Sequence, residues 1–284
     1  MTAATTVPAG SLTQEEPRAR FVDLLAAEWL KMWSLRSTPW LYAITALAVI
    51  AFNAGTAYDH YKYWYQYNEE SRTDFVANGI PLVDAFTMNS AMVLVLAVAA
   101  IGAVSVTGEY GTGLIRTTFT AVPARRSVMA AKVVVLASAA TVFGALVAAA
   151  SFASAQAILS GRNASVSLGH PGALRVVVAS ALLAPVAALA GLAIGTLIRH
   201  TGGSVVGCVV VLLLLPMVLS ERRHLTAVLQ HALPFSGWER LVSSQTQRSH
   251  DLFPWTAGGA WTVYALWALV AAVVTVLAVH RRDQ

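Results

Sequence analysis

The sequence predicts an all-α membrane protein with six transmembrane helices, and two observations lead there. Hydrophobic residues make up 57% of the 284 positions against 12% charged, with a mean hydropathy of +0.63, more apolar than an ordinary soluble domain. These residues also fall into six runs, at 39–57, 83–106, 133–158, 174–198, 204–219 and 257–279. A spanning helix needs roughly 20 mostly apolar residues, and the runs meet or approach that length. The fifth is short, but Gly202 and Gly203 extend it, and Pro216 predicts a kink near its far end.

The chain begins polar and mixed in charge, with Glu15, Glu16, Arg18 and Arg20 close together, unlike the basic start and immediate apolar core of a signal peptide. Residues 1–20 are therefore expected to be a disordered cytoplasmic tail, followed by one domain over 21–284. Within it, 21–37 reads as a helix lying in the membrane interface. At about 100° per residue, Val22, Leu25, Trp29, Met32 and Trp33 share a broad apolar arc, and Asp23, Ala27, Lys31 and Ser34 a narrower opposite face. Glu28 at the edge of that arc and Arg36 leave a second use open, as a surface for a partner.

Between the first two runs, Tyr58, Tyr61, Tyr63, Trp64, Tyr65 and Tyr67 crowd together. They read either as an aromatic belt at the outer interface or as a substrate-receiving surface. Runs four and five are joined so tightly by RHTGG (199–203) that they should be antiparallel neighbours, and GLAIG (191–195) and GSVVG (203–207) match the small-xxx-small packing pattern. Before the last run, 221–255 is too long for a turn and too polar to span. Leu225, Val228, Leu229 and Ala232 recur at helical spacing until LPFSGW (233–238) interrupts, which suits a short amphipathic or re-entrant outer segment and an irregular cap.

Six crossings place both ends on one side. If that side is the cytoplasm, it holds eleven of the 19 basic residues, among them Arg116, Arg125, Arg126, Lys132 and Arg199, against eight outside, the expected direction of the bias. The net charge of +5 is spread over helix ends rather than gathered in one patch, so anionic lipid headgroups, and not nucleic acid, are its expected partner. Cys208 stands alone inside an apolar run and reads as a small buried hydrophobe.

Catalytic patterns do not emerge. The sequence holds no G-x-S-x-G elbow, no H-E-x-x-H and no G-x-x-x-x-G-K-[ST] loop, and its seven histidines are scattered without metal-ligand spacing. The chain is thus expected not to be an enzyme and to carry no cofactor of its own. Deep inside the runs the polar groups are uncharged, such as Asn53, Asn89, Thr141 and Gln156, with Asp84 at an entry point. Asn53, Asn89 and Gln156 are candidate substrate-pathway residues, although such groups more often make helix-to-helix hydrogen bonds. Missing mid-membrane carboxylates weigh against an ion-coupled carrier, and the missing catalytic constellation against a membrane enzyme.

One polar, helix-capable stretch remains between runs two and three, TGEYGTGLIRTTFTAVPARRSVMAAK from Thr107 to Lys132. Gly108 can end the second span, Glu109 then projects at its mouth, and Leu114, Ile115 and Phe119 fall near one side of a short helix. A polar helix held between two spans is a handle for a soluble partner. This stretch and the upstream EWLKMWSLRST resemble the membrane subunits of ABC-2 type ATP-binding cassette transporters, of the actinobacterial kind encoded apart from their ATPase. The resemblance implies a connecting helix over 21–37 and a coupling helix near 111–122 that docks on the ATPase. It also implies Glu28, Glu109, Thr112, Leu114, Ile115, Arg116 and Phe119 as contacts to that subunit, with arginines such as Arg116 and Arg125 as the alternative partners of Glu109. Gly111 and Leu114 depart from the family's pattern, where a polar or basic residue and a Thr are expected. By the same likeness two ATPase subunits would supply ATP and Mg chemistry, the chain would pair with itself or a similar permease, and an amphiphilic drug, peptide or lipid would leave the cell across the plasma membrane.

Overall fold

The computed structural model describes residues 20–219, 223–243 and 253–282, and within them every regular element is helical. The tail expected over 1–20 lies outside the described residues, apart from Arg20. Six segments are long and apolar enough to cross a membrane: Ser37–Gln66, Ile80–Thr112, Arg125–Ser160, Ala173–Ile198, Thr201–Val218 and Ala257–Ala278. They are the six runs read from the sequence, several lengthened by polar turns at their ends.

α1 (Phe21–Ser34) precedes the first span, α2 (Ser37–Tyr63). Pro39 does not separate them; it sits in the first turn of α2, where its missing N–H costs no helical bond. α1 turns Leu24 and Glu28 inward and leaves Val22, Trp29, Leu30 and Trp33 exposed. Burying charge while exposing tryptophan inverts the soluble pattern, and it suits a helix whose outer face meets lipid.

The aromatic stretch is helix rather than loop. α2 carries on through Tyr63 into a 3₁₀ turn at Trp64–Gln66, and α3 (Glu69–Ala77) follows. Tyr58, Tyr63 and Tyr65 stay exposed, but Trp64 is buried and packs edge to face with buried Phe75, centroids 5.3 Å apart, so one member of the belt belongs to a small core. α4 (Ile80–Asp84) then leads into α5 (Met88–Thr112), with a break between them. The second span ends four residues beyond Gly108, at Thr112, because Gly113 takes φ +74°, the left-handed conformation that terminates helices.

α6 (Leu114–Ala121) joins α5 to α7 (Arg125–Ser160), and α8 (Ala173–Ile198) runs through the centre of the bundle. There it packs against α5, α7, α9 (Thr201–Val209) and, at its other end, α12 (Pro234–Val242) and α13 (Ala257–Arg282). The α5–α8 crossing is backbone against backbone. A Cβ added at Gly102 would lie 2.0 Å from the Ala188 carbonyl oxygen, and one at Gly191 2.0 Å from that of Ala99. GLAIG therefore packs on α5, whereas Gly203 and Gly207 face the Ile194 and Ile198 side chains of α8.

The fifth span leaves regular α-helical geometry just ahead of Pro216. Pro216 has no N–H and its ring crowds the carbonyl four residues back, so α9 widens into a π turn at Val210–Leu214 before α10 (Leu215–Val218). Beyond it the sequence expectation needs correction. α11 (His224–His231) forms as expected, but Leu225, Val228 and Leu229 are exposed, and LPFSGW opens a second helix rather than interrupting one. Pro234 fits the first turn of α12 without losing a bond. Phe235, Trp238 and Leu241 are buried against α8 and α13, and Trp238 Nε1 donates to Ser180 Oγ at 3.1 Å.

Candidate functional site

The polar stretch singled out in the sequence lies at one end of the bundle, together with α1 and the α8–α9 turn. Gly113 reverses the chain into α6, and Pro123 with extended Val122 separates α6 from α7. α6 buries Ile115, half-buries Phe119 against Leu24, Val128 and Ala131, and leaves Leu114, Arg116, Thr117 and Thr120 exposed. The Arg125 guanidinium lies over the Phe119 ring, 5.4 Å from its centre. On the far side of the α5 terminus, Thr201 Oγ1 donates to Thr107 Oγ1 at 3.1 Å, and Arg199 lies over Tyr110.

Behind α6 is a ring of four charges. Lys132 Nζ donates to Glu109 Oε1 at 2.8 Å and to Glu28 Oε2. Lys31 Nζ lies 2.7 Å from Glu28 Oε1 and 3.5 Å from Glu109 Oε1, and it reaches Thr118 Oγ1 of α6 at 3.4 Å. Glu28, Glu109 and Lys132 are all buried, with Lys31 partly exposed. The signs alternate around the ring and sum to zero, the arrangement that makes buried charge tolerable. Loss of one member of a buried pair costs about 3–5 kcal/mol, because its partner is left uncompensated.

The expected contact residues thus divide. Thr112, Leu114 and Arg116 are exposed, whereas Glu28, Glu109, Ile115 and Phe119 face into the chain. For Glu109 the reason is that α5 continues past Gly108, so the carboxylate belongs to a buried helical turn and pairs with Lys132 and Lys31, not with Arg116 or Arg125. Lys132, which the sequence places only among the basic residues of the cytoplasmic side, joins the site. Its position carried a signal: seven residues after Arg125 it stands about 10 Å further along the helix, where a lone ammonium in lipid is costly.

The candidate pathway residues also divide. Asn53 Oδ1 accepts from Thr87 N (2.9 Å) and Thr87 Oγ1 (3.0 Å), and its Nδ2 donates to Ser151 Oγ (3.0 Å), bracing the break between α4 and α5. Gln156 Nε2 donates to the Pro81 carbonyl (2.9 Å) while its Oε1 accepts from Val166 N (2.8 Å). Asn89 is exposed on α5. Asn53 also lines a small cavity with Ser90, Ser151, Ser180 and Trp238. At the end opposite α6, His60 Nδ1 and Asp84 Oδ2 lie 2.6 Å apart and tie α2 to α4. Among the described residues, no group of three or more His, Cys, Asp and Glu lies close enough to hold a metal ion.

No family model matches the chain, and no curated protein does.

Proposed function

We propose that the chain is the membrane subunit of an ABC-2 type exporter, moving an amphiphilic or apolar substrate across the plasma membrane with energy from a separate ATPase. The observation that carries this reading is α6, a short helix between two spans whose exposed face holds Leu114, Arg116, Thr117 and Thr120 while Ile115 and Phe119 fasten its back. A docked partner would push on α6, and the push would pass into α5 and α7, which α6 joins. In this reading α6 is the coupling helix, α1 the connecting helix and α11 with α12 the re-entrant segment. The α6 end, with Arg116, Arg125, Arg126 and Arg199, is cytoplasmic. ATP and Mg belong to two partner subunits, and two membrane subunits pair around the pathway. Alternation between inward- and outward-open states then follows ATP-driven closure of the partner.

Gentle extraction from host membranes tests this. An ATPase subunit should leave the membrane with the wild-type chain and be lost from Arg116→Glu, with membrane insertion unchanged because Arg116 is exposed. Absence of any ATPase from the wild-type extract contradicts the proposal.

The ion-coupled carrier keeps one specific support, the buried Asp84 carboxylate paired with His60. Uptake or efflux that collapses with the ion gradient while ATP remains would favour it.

A further inference from the structure

The proposed docking face uses the exposed side of α6 and leaves the buried ring behind it without a task. That ring is built from three separate elements: Glu28 and Lys31 on α1, Glu109 on α5 and Lys132 on α7. Apart from it, α1 is held by Leu24 and Leu25 beside Val128 and Ala131, by Met32 against the main core and by Trp33 beside Tyr42 of α2. Its covalent link to α2 is the pair Leu35 and Arg36, and its only fully buried side chains are Leu24 and Glu28. The opposite face, with Val22, Trp29, Leu30 and Trp33, is exposed, an apolar face suited to the membrane interface.

We infer that the four-charge ring is a joint that makes α1 move as one body with the α5–α6–α7 turn. Its members are positioning residues, not partner contacts. The electrostatics favour an all-or-none joint. With every side closed the buried charge is zero, whereas pulling one member away strands an uncompensated charge in a low-dielectric interior. Intermediate positions are therefore disfavoured, and the joint either holds or opens completely. Lys31 is the corner where motion enters. It is 27% exposed where the other three are below 10%, it spans the longest side of the ring, and it hydrogen-bonds to Thr118 of α6. The inference rests on the exporter reading only for the source of the push, since the joint itself is a property of this chain.

Two variants of equal charge separate the joint from simple stabilisation. Lys132→Met with Glu109→Gln removes one charge of each sign and leaves Glu28 paired with Lys31, both on α1, so no ion pair holds α1 to the bundle. Lys31→Met with Glu109→Gln removes the same two charge types but leaves Glu28 paired with Lys132, which still spans α1 and α7. Spin labels at Val22→Cys and Thr120→Cys, both exposed positions, would report the α1–α6 distance in the full chain in lipid nanodiscs, with Cys208→Ala as background. Wild type and the Lys31 double variant should give one narrow distance, and the Lys132 double variant should lose it to a broad or split distribution. Narrow distributions in both would show that Leu24 and the lipid suffice to hold α1, overturning the joint. Broad distributions in both would make Glu109 a brace of the α5 end and overturn it equally. The assay contains no ATPase, so it can fail while the exporter reading stands, and the reverse.

Discussion

Asn53 uses its amide in three hydrogen bonds to two residues, and the most consequential is the one from the Thr87 N–H. That N–H opens α5 after a break in the second span, inside a membrane where water cannot replace the lost acceptor. Asn53→Leu should therefore destabilise the protein by about 1–3 kcal/mol, the penalty of a buried unsatisfied donor, seen as a lower melting temperature in detergent. Asn89→Leu, at an exposed position, should leave melting within error. The polar residue types were legible in the sequence, but their tasks were not, because nothing in the apolar run announces the break that Asn53 repairs. Lys132 is the opposite case: its depth along α7 calls for a buried counter-charge, which Glu28 and Glu109 supply. What hides the ring is that a helix ending at Gly108 would leave Glu109 outside it. Gly108, Gly111 and Gly113 all offer that role, and of the three only Gly113 adopts the left-handed conformation.

At the scale of elements, the α5–α8 crossing sets how tightly the bundle closes. Gly191→Ala places a methyl 2.0 Å from a backbone oxygen that cannot rotate away, so the helices must separate along their length. Lower yield and a lower melting temperature are expected. Gly108→Ala meets nothing within 4 Å and should instead gain about 0.5–1 kcal/mol from reduced helix entropy cost. Equal melting of the two variants would contradict the packing. Spans were readable because 20-residue apolar runs have few alternatives in water or lipid. Their ends were not, since Tyr58 to Tyr63 and Arg125 to Lys132 continue helices that hydropathy alone would stop. The α11–α12 pair was half legible for a related reason. Helical spacing found α11, but Pro234 resembles an interruption until its first-turn position is known, and the buried helix proved to be the one behind it.

For the whole molecule, six crossings put α1 and α6 at one end and the Arg162 to Pro171 connection at the other, where Arg162 Nε donates to the Tyr61 carbonyl at the end of α2. If the α6 end is cytoplasmic, Thr120→Cys should react with an impermeant thiol reagent only in opened cells, and Asn163→Cys in intact ones. Both positions are exposed. The native Cys208 is 1% exposed, which keeps background labelling low. The reverse pattern would put α6 beyond reach of any cytoplasmic ATPase.

The most direct measurement of the exporter proposal is ATP turnover by the complex extracted with this chain and reconstituted in lipid. Wild type should stimulate turnover above that of the ATPase alone, and Leu114→Asp with Arg116→Glu, which alter only the exposed face of α6, should remove the stimulation while the chain stays inserted. Turnover indifferent to the chain or to those two positions would contradict the proposal that α6 is the handle.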